Sequence, residues 1–328
     1  MTQIDWGKFP RVTLGTLPTP LQELHNAGRA LGGNRRLFIK RDDMTGIALG
    51  GNKVRKLEFV LADALARGCD TVITTGGAQS NHATITASCC NRLGLKAILV
   101  LQGRGVMERK GNLLLNHLQG AEVRFVDSDD MQDVYPVMDD LAERLRGEGR
   151  KPCIVPVGAS VPLGTLGYVN CMEELYAQAE ACGVSFDHLV CCSGSGGTHA
   201  GTLLGTALYS PGTRVTGIAI SESLSGQESI LRLARDTAGL LGAESSIGEE
   251  DVTIRQYCGQ GYAVPSEQGN AAIRRMAGWE GLFLDPVYTG KTFGGLLDLN
   301  AQGYFPEGSN ILFLHTGGAA TLFAIPVE

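Results

Sequence analysis

The chain has 328 residues, a formal net charge of −6, 43% hydrophobic residues and 19% charged ones. No basic stripe is available to neutralise phosphates, which argues against nucleic acid or an anionic membrane surface as a partner. The first ten residues hold no basic-flanked apolar core and no run of about 18 apolar residues occurs, so neither a signal peptide nor a membrane span is expected and the cytoplasm is the default compartment.

At roughly 100–200 residues per domain, the length predicts two lobes around one cleft. The 45 glycines are about twice the usual ~7% share, and they gather at turns, where positive φ or close backbone approach is needed. The nine cysteines include the neighbours Cys89-Cys90 and Cys191-Cys192, with no Cys-x-x-Cys spacing and no cysteine–histidine cluster. Neither a disulfide framework nor a metal site is expected, and the thiols read as small core hydrophobes.

In chain order, apolar runs of strand length fall at 37–40, 71–74, 97–101, 122–126, 153–157, 188–192, 214–220 and 311–315. Between them, stretches at 57–67, 79–93, 108–118, 131–147, 164–182 and 198–209 carry apolar residues at helical spacing. Alternation of this kind predicts an α/β fold, a parallel doubly wound sheet with flanking helices. Asp127-Ser128-Asp129-Asp130 offers a choice of N-caps before Met131, and Gly147 and Gly149 close that helix. Residues 221–250 read as largely helical and polar, with a surface loop over 239–248, and are the expected place for mobility or oligomer contact.

Five constellations carry chemistry. In Gly50-Gly51-Asn52-Lys53-Val54-Arg55-Lys56 a lysine follows tight glycine backbone at a helix start. Its amine becomes a nucleophile only if burial or neighbouring positive charge removes its proton, and Arg55 and Lys56 are expected to supply that charge. Gly76-Gly77-Ala78-Gln79-Ser80-Asn81-His82 follows a strand and opens a helix, where backbone N–H groups favour a carboxylate or phosphate. Ser80 adds a hydroxyl donor and Asn81 can bond a phenolic oxygen, although either residue also suits ordinary N-capping. Ser80 and His82 point apart on a helix and no Gly-x-Ser-x-Gly elbow exists, which disfavours a serine hydrolase.

Ser193-Gly194-Ser195-Gly196-Gly197-Thr198 at the next strand-to-helix turn offers side-chain-free amides and hydroxyls enough to hold one phosphate. It matches neither a Rossmann fingerprint nor a Walker loop. Tyr288, in Leu284-Asp285-Pro286-Val287-Tyr288-Thr289-Gly290-Lys291, is either a turn aromatic or a ring placed over a planar cofactor or against the substrate. Thr316 ends an apolar strand, where ligands collect in open parallel sheets. Its hydroxyl can hydrogen-bond a pyridine nitrogen without forcing its protonation, which makes the ring a weaker electron sink than an aspartate partner does. A reactive amine beside a phosphate cup suggests pyridoxal 5'-phosphate.

Together with Lys40-Arg41-Asp42-Asp43, these motifs resemble the D-cysteine desulfhydrase and 1-aminocyclopropane-1-carboxylate deaminase family over nearly the whole chain. The resemblance implies pyridoxal-phosphate fold type II, tryptophan-synthase-β-like: a large cofactor-binding lobe from residues 1–49 plus 166–328, and a small lobe from 50–165. It implies that Lys53 is the Schiff-base lysine, that Asn81 bonds the pyridoxal phenolic oxygen, and that Gly194, Ser195, Gly196, Gly197 and Thr198 hold the phosphate. Thr316 would partner the pyridine nitrogen. Ser80 would contact the substrate carboxylate or assist proton transfer, with Asn81, His82, Tyr262, Tyr288 and Thr289 around the substrate, and Lys53, Ser80 and Tyr288 as catalytic candidates. A homodimer is also implied.

Deaminases of this family resemble Pro-Val-Tyr-Glu-Gly-Lys, whereas this chain has Thr289 where that glutamate would stand. The departure favours β-elimination on a small sulfur amino acid, D-cysteine desulfhydrase-like, giving sulfide, pyruvate and ammonia. The same branch is similar to L-cysteate sulfo-lyases, which release sulfite. A sulfonate would want a further cation, for which Arg104, Arg109 and Lys110 are candidates if they face the cleft. The rivals are a racemase, dehydratase or synthase on the same scaffold, and a noncatalytic small-molecule binding protein.

Overall fold

A computed structural model describes residues 4–128, 130–222, 226–244 and 247–327. The strands are β1 (Leu21–Glu23), β2 (Arg36–Arg41), β3 (Thr71–Gly77), β4 (Lys96–Gln102), β5 (Glu122–Val126), β6 (Pro152–Val155), β7 (His188–Ser193), β8 (Arg214–Ala219), β9 (Thr253–Gln256) and β10 (Asn310–His315). The helices are α1 (His25–Leu31), α2 (Lys53–Ala66), α3 (Asn81–Leu93), α4 (Gly111–Leu118), α5 (Val134–Gly147), α6 (Pro162–Ala181), α7 (Gly197–Tyr209), α8 (Gln227–Leu241), α9 (Glu267–Glu280) and α10 (Thr289–Ala301).

The strands form two sheets, a six-stranded one in the order β1-β2-β10-β7-β8-β9 and a four-stranded one in the order β5-β4-β3-β6. The smaller sheet is parallel throughout. The larger sheet departs from the expected all-parallel pattern at one edge, where β1 pairs antiparallel with β2. β1 and β9 are 3 and 4 residues long, too short to show a period in sequence. The residue 165/166 boundary expected between lobes falls inside the continuous helix α6.

Alternation along the buried strands explains why helices cover both faces. In β10, Leu312 and Leu314 pack with Tyr168, Leu175 and Leu204 of α6 and α7. Their neighbours Ile311 and Phe313 face Ile273, Met276, Phe293 and Leu296 of α9 and α10. In β4, Leu99 and Leu101 join the α2 and α3 residues Leu57, Leu61 and Ile85, while Ile98 and Val100 meet Met138 and Leu141 of α5. Each apolar side chain so buried contributes about 1.5–3 kcal/mol.

Punctuation follows the sequence in part. Asp130 is the cap chosen from the acidic run, its Oδ1 accepting from Gln132 N at 2.9 Å; Asp129 lies outside the described residues, as do 223–225 and 245–246 in the segment read as helix and loop. Gly50, at φ 77°, admits no side chain, because a Cβ there would lie 1.6 Å from Asp43 O. The turn it makes sets Gly51 in an antiparallel bridge with Gly317, and Asn52 N donates to Thr316 O at 3.1 Å.

Candidate active site

A cavity of about 490 Å³ opens at the C-terminal ends of β3, β7 and β10, within the size range of small-molecule sites. Lys53, Ser80, Asn81, His82, Gly194, Ser195, Gly196, Thr198, Tyr262, Tyr288 and Thr316 all line it. Gly197 and Thr289 do not.

Lys53 is the first residue of α2, with Asn52 as N-cap. Its Nζ donates to Asn52 Oδ1 at 2.9 Å, and Asn52 Nδ2 donates to Thr198 Oγ1 at 2.8 Å. One carboxamide therefore joins the lysine to the glycine-rich cup. Burial pulls the Lys53 amine down to about 8, so about a tenth of it is unprotonated at pH 7, far more than for an ordinary lysine.

The neighbouring charge differs from expectation. Arg55 turns away from the cavity: its Nε donates to Asp42 Oδ2 at 2.8 Å and its Nη1 to Glu174 Oε2 at 2.9 Å. Two carboxylates on β2-proximal and α6 backbone capture a guanidinium whose planar fork suits them. Lys56 is the cation that stays near, fully buried, and burial together with the Lys53 charge pushes its amine well below the ordinary lysine value.

The cup itself is the start of α7. Gly196, its N-cap at φ 85°, supplies no side-chain cap, which leaves first-turn amides for an anion. Behind it, Ser160 Oγ accepts from Gly197 N at 3.2 Å and from Lys56 Nζ at 3.1 Å, and lies 2.9 Å from Ser195 Oγ. Gly197 thus serves from beneath the cup: a Cβ there would lie 2.4 Å from Lys56 Nζ and 2.7 Å from Ser160 Oγ.

At the α3 start the capping reading of Ser80 holds, its Oγ accepting from Ala83 N at 3.2 Å. Thr84 N is bonded to Ser80 O, so Asn81 N and His82 N are the amides of that turn left to an anion. Thr74 Oγ1 donates to Val155 O at 2.8 Å and therefore accepts from His82 Nε2 at 2.9 Å. Burial, reinforced by the Lys53 and Lys56 charges, keeps His82 well below the ordinary histidine value, a neutral ring.

The hydroxyls of Tyr262 and Tyr288 are 2.5 Å apart. Burial raises both phenols, so both are protonated donors at neutral pH. Thr289 does not line the cavity: fully buried, it donates from Oγ1 to Asp285 Oδ1 at 2.7 Å. Asp285 also accepts from Val287 N, Tyr288 N and Thr289 N at 2.8–2.9 Å, which fixes the turn that carries Tyr288. The helix following a tight turn folds Thr289 into the protein one position after a cavity-facing tyrosine.

Sequence reasoning missed Asn52, Gln102, Asp130, Met131, Gln132, Tyr135, Val157, Gly158, Cys192 and Ser221, which with Gly77 and Gly317 complete the lining. The residues from 102 to 135 carry no glycine-rich signal; they join the cup in one cavity although they belong to the part of the chain that builds the small sheet. Arg104, Arg109 and Lys110 are not in the lining. Arg104 pairs with Asp127, and Lys110 with Glu108 at 2.5 Å.

This donor set fits pyridoxal phosphate: amides, Ser195 and Thr198 for the phosphate, an amine of lowered basicity for the aldehyde, and Thr316 and Asn81 for the two polar ring positions. The chain matches the family described as "Pyridoxal-phosphate dependent enzyme" over residues 12–317. It is 43% identical to a D-cysteine desulfhydrase of Yersinia enterocolitica, covering 97% of this chain and 96% of that one. It is 40% identical to a 1-aminocyclopropane-1-carboxylate deaminase of Mesorhizobium japonicum, covering 96% of each. A crystal structure of an ACC deaminase homologue superposes with a TM-score of 0.90 at 42% identity, covering 97% of this chain and 94% of that one. The fold alone is shared with an O-ureido-L-serine synthase, TM-score 0.69 at 18% identity, covering 93% and 90%. The match spans most of the sequence that builds this cleft, and the chain belongs to the pyridoxal-phosphate dependent enzyme family, with pyridoxal 5'-phosphate as its cofactor.

Proposed function

We propose that the protein is a carbon–sulfur lyase of the D-cysteine desulfhydrase kind, acting on a small sulfur-containing amino acid and one water and releasing sulfide, pyruvate and ammonia. The observation that carries this reading is position 289, where a short threonine is sealed against Asp285 and no acid enters the cavity from that turn. The composition of the wall agrees. Among the described residues the lining has no arginine, which suits a thiol leaving group better than a sulfonate, since a sulfonate needs a compensating cation or an N–H cluster.

When bound, pyridoxal phosphate supplies a conjugated ring that spreads the negative charge developing at the substrate Cα. The protein's own part is to hold and to move protons. Gly194–Gly196, Gly197 from below and Thr198 hold the phosphate; Thr316 partners the ring nitrogen as a neutral donor. Asn81 N and His82 N, with the Ser80 hydroxyl, receive the substrate carboxylate and so set the direction of the Cα–H bond. Of the candidate bases, Lys53 alone has its amine lowered toward neutrality, while both phenols are raised; Lys53 Nζ takes the proton from Cα. Tyr288, a protonated phenol steadied by Tyr262, gives its proton to the departing sulfur.

Release of 2-oxo acid from D-cysteine, L-cysteine, L-cysteate and 1-aminocyclopropane-1-carboxylate, measured in parallel with sulfide and sulfite, tests the reading. D-cysteine with stoichiometric sulfide is expected as the best pair. Sulfite from L-cysteate at a higher kcat/KM would move the protein to the sulfo-lyases, and preferential ring opening would move it to the deaminases.

A further inference from the structure

Asn112 lies outside the cavity lining, at the second position of α4, and is only 2% exposed. Its side-chain Nδ2 makes two hydrogen bonds, to Gln79 O at 2.9 Å and to Asn81 Oδ1 at 2.7 Å. A backbone carbonyl accepts and never donates, so the Asn112 group facing Gln79 O is the NH2. That group's second hydrogen then requires an oxygen on Asn81. The orientation of both amides follows from the backbone: Asn81 turns its oxygen to Asn112 and its NH2 to the other side, where Asn81 lines the cavity.

The support continues outward. Asn112 N donates to Gln79 Oε1 at 2.9 Å, and Gln79 Nε2 donates to Val106 O and Lys110 O at 3.2 Å each. Gly111, at φ 50°, permits this approach, because a Cβ there would stand 2.7 Å from Gln79 Oε1 and 2.8 Å from Ala320 O. Every amide in the relay has one permitted orientation.

We propose that Asn112 is a positioning residue that locks the Asn81 carboxamide with its NH2 toward the phenolic oxygen of the cofactor. The proposal rests on the reading that Asn81 contacts that oxygen. A fixed donor there stabilises the ionised oxygen and lowers the pH midpoint of the visible band of the bound cofactor. An Asn81 free to flip would present its own oxygen half the time and raise it.

The test is a pH titration of the visible band in the holoenzymes of wild type, Asn81→Ala, Asn112→Asp, Asn112→Ser and the Asn81→Ala/Asn112→Asp double variant. Asn112→Asp accepts where asparagine donates, and so draws the Asn81 NH2 toward itself; Asn112→Ser, smaller and with one donor, is read alongside so that the result does not hang on one protein folding. Asn81→Ala and Asn112→Asp are each expected to raise the midpoint by about one pH unit, Asn112→Ser by less, and the double variant by no more than Asn81→Ala. A shift in Asn81→Ala with wild-type midpoints in both Asn112 variants overturns the proposal and leaves the Asn81 contact standing. Additive shifts in the double variant also overturn it, since Asn112 would then act elsewhere. No shift in Asn81→Ala removes the contact itself, and the proposal with it.

Discussion

The hydroxyls of Tyr262 and Tyr288 approach to 2.5 Å across the cavity wall, although the two residues stand on different elements. Lys291 holds the Tyr262 side in place, its buried Nζ donating to Cys258 O at 2.6 Å and Gly261 O at 2.8 Å. Asp285 holds the Tyr288 side through backbone amides. The pair is therefore rigid from both directions. Tyr288→Phe is expected to lower kcat by about 10²-fold, the usual contribution of a placed proton donor, and Tyr262→Phe by less. The double variant should be no slower than Tyr288→Phe, because the hydroxyls act as one unit. Steady-state 2-oxo acid release reads this, and multiplicative losses would show that the tyrosines work independently.

The Lys53 amine, lowered to about 8 by burial, gives the protein without its cofactor a pH signature. Recapture of pyridoxal phosphate should speed up as pH rises toward about 8 and level off above it, whereas an ordinary lysine would keep accelerating toward about 10.4. Stability carries the matching sign. A lysine whose folded value lies below its unfolded one costs stability in full below about 8, where both states are charged, and that cost fades as pH rises toward the unfolded value. Lys53→Met should accordingly raise the Tm of the cofactor-free protein at pH 7, with the gain shrinking toward pH 10.

Thr289→Glu tests the turn that distinguishes this chain from deaminase-like sequences. Burial already raises the Asp285 carboxyl, and a second carboxylate beside it would be unpaired in a dry site. A loss of about 3–5 kcal/mol is expected, visible as a large drop in Tm before any change of substrate preference. A variant of wild-type stability that opens cyclopropane rings would show that the turn has room for the acid.

Gly197→Ala should weaken cofactor retention more than tenfold, since the new methyl displaces Lys56 Nζ and Ser160 Oγ from behind the cup and a misplaced donor set binds phosphate poorly. Fluorescence titration with pyridoxal phosphate measures it; unchanged affinity would mean that Ser160 shifts without consequence.

How much of this was legible in the sequence depends on whether the chemistry is local. Lys53, Ser80 and the Ser195–Thr198 cup announce themselves because strand-to-helix turns built from glycine carry their function in consecutive residues. Arg55 was misread for the opposite reason: its neighbours in sequence do not reveal that Asp42 and Glu174 would claim it. Asn52 stood inside the motif, yet its bridge to Thr198 spans 146 positions. Tyr135, Gln102 and Met131 join the wall only through tertiary structure, in a cavity lined from both sheets. The inward turn of Thr289 needed the angle of α10, which no periodicity supplies.

The bridge between Gly51 and Gly317 gives the reactive lysine a late birthday. Lys53 leaves the ribosome early, but the backbone against which its turn is fastened, Gly317, is made much later. A nascent chain carries every strand of the four-stranded sheet, the last ending at Val155, long before it carries the backbone that fastens the lysine turn. Capture of pyridoxal phosphate is thus expected only once the chain has been made through Gly317, and fragments ending before Gly317 should emerge colourless.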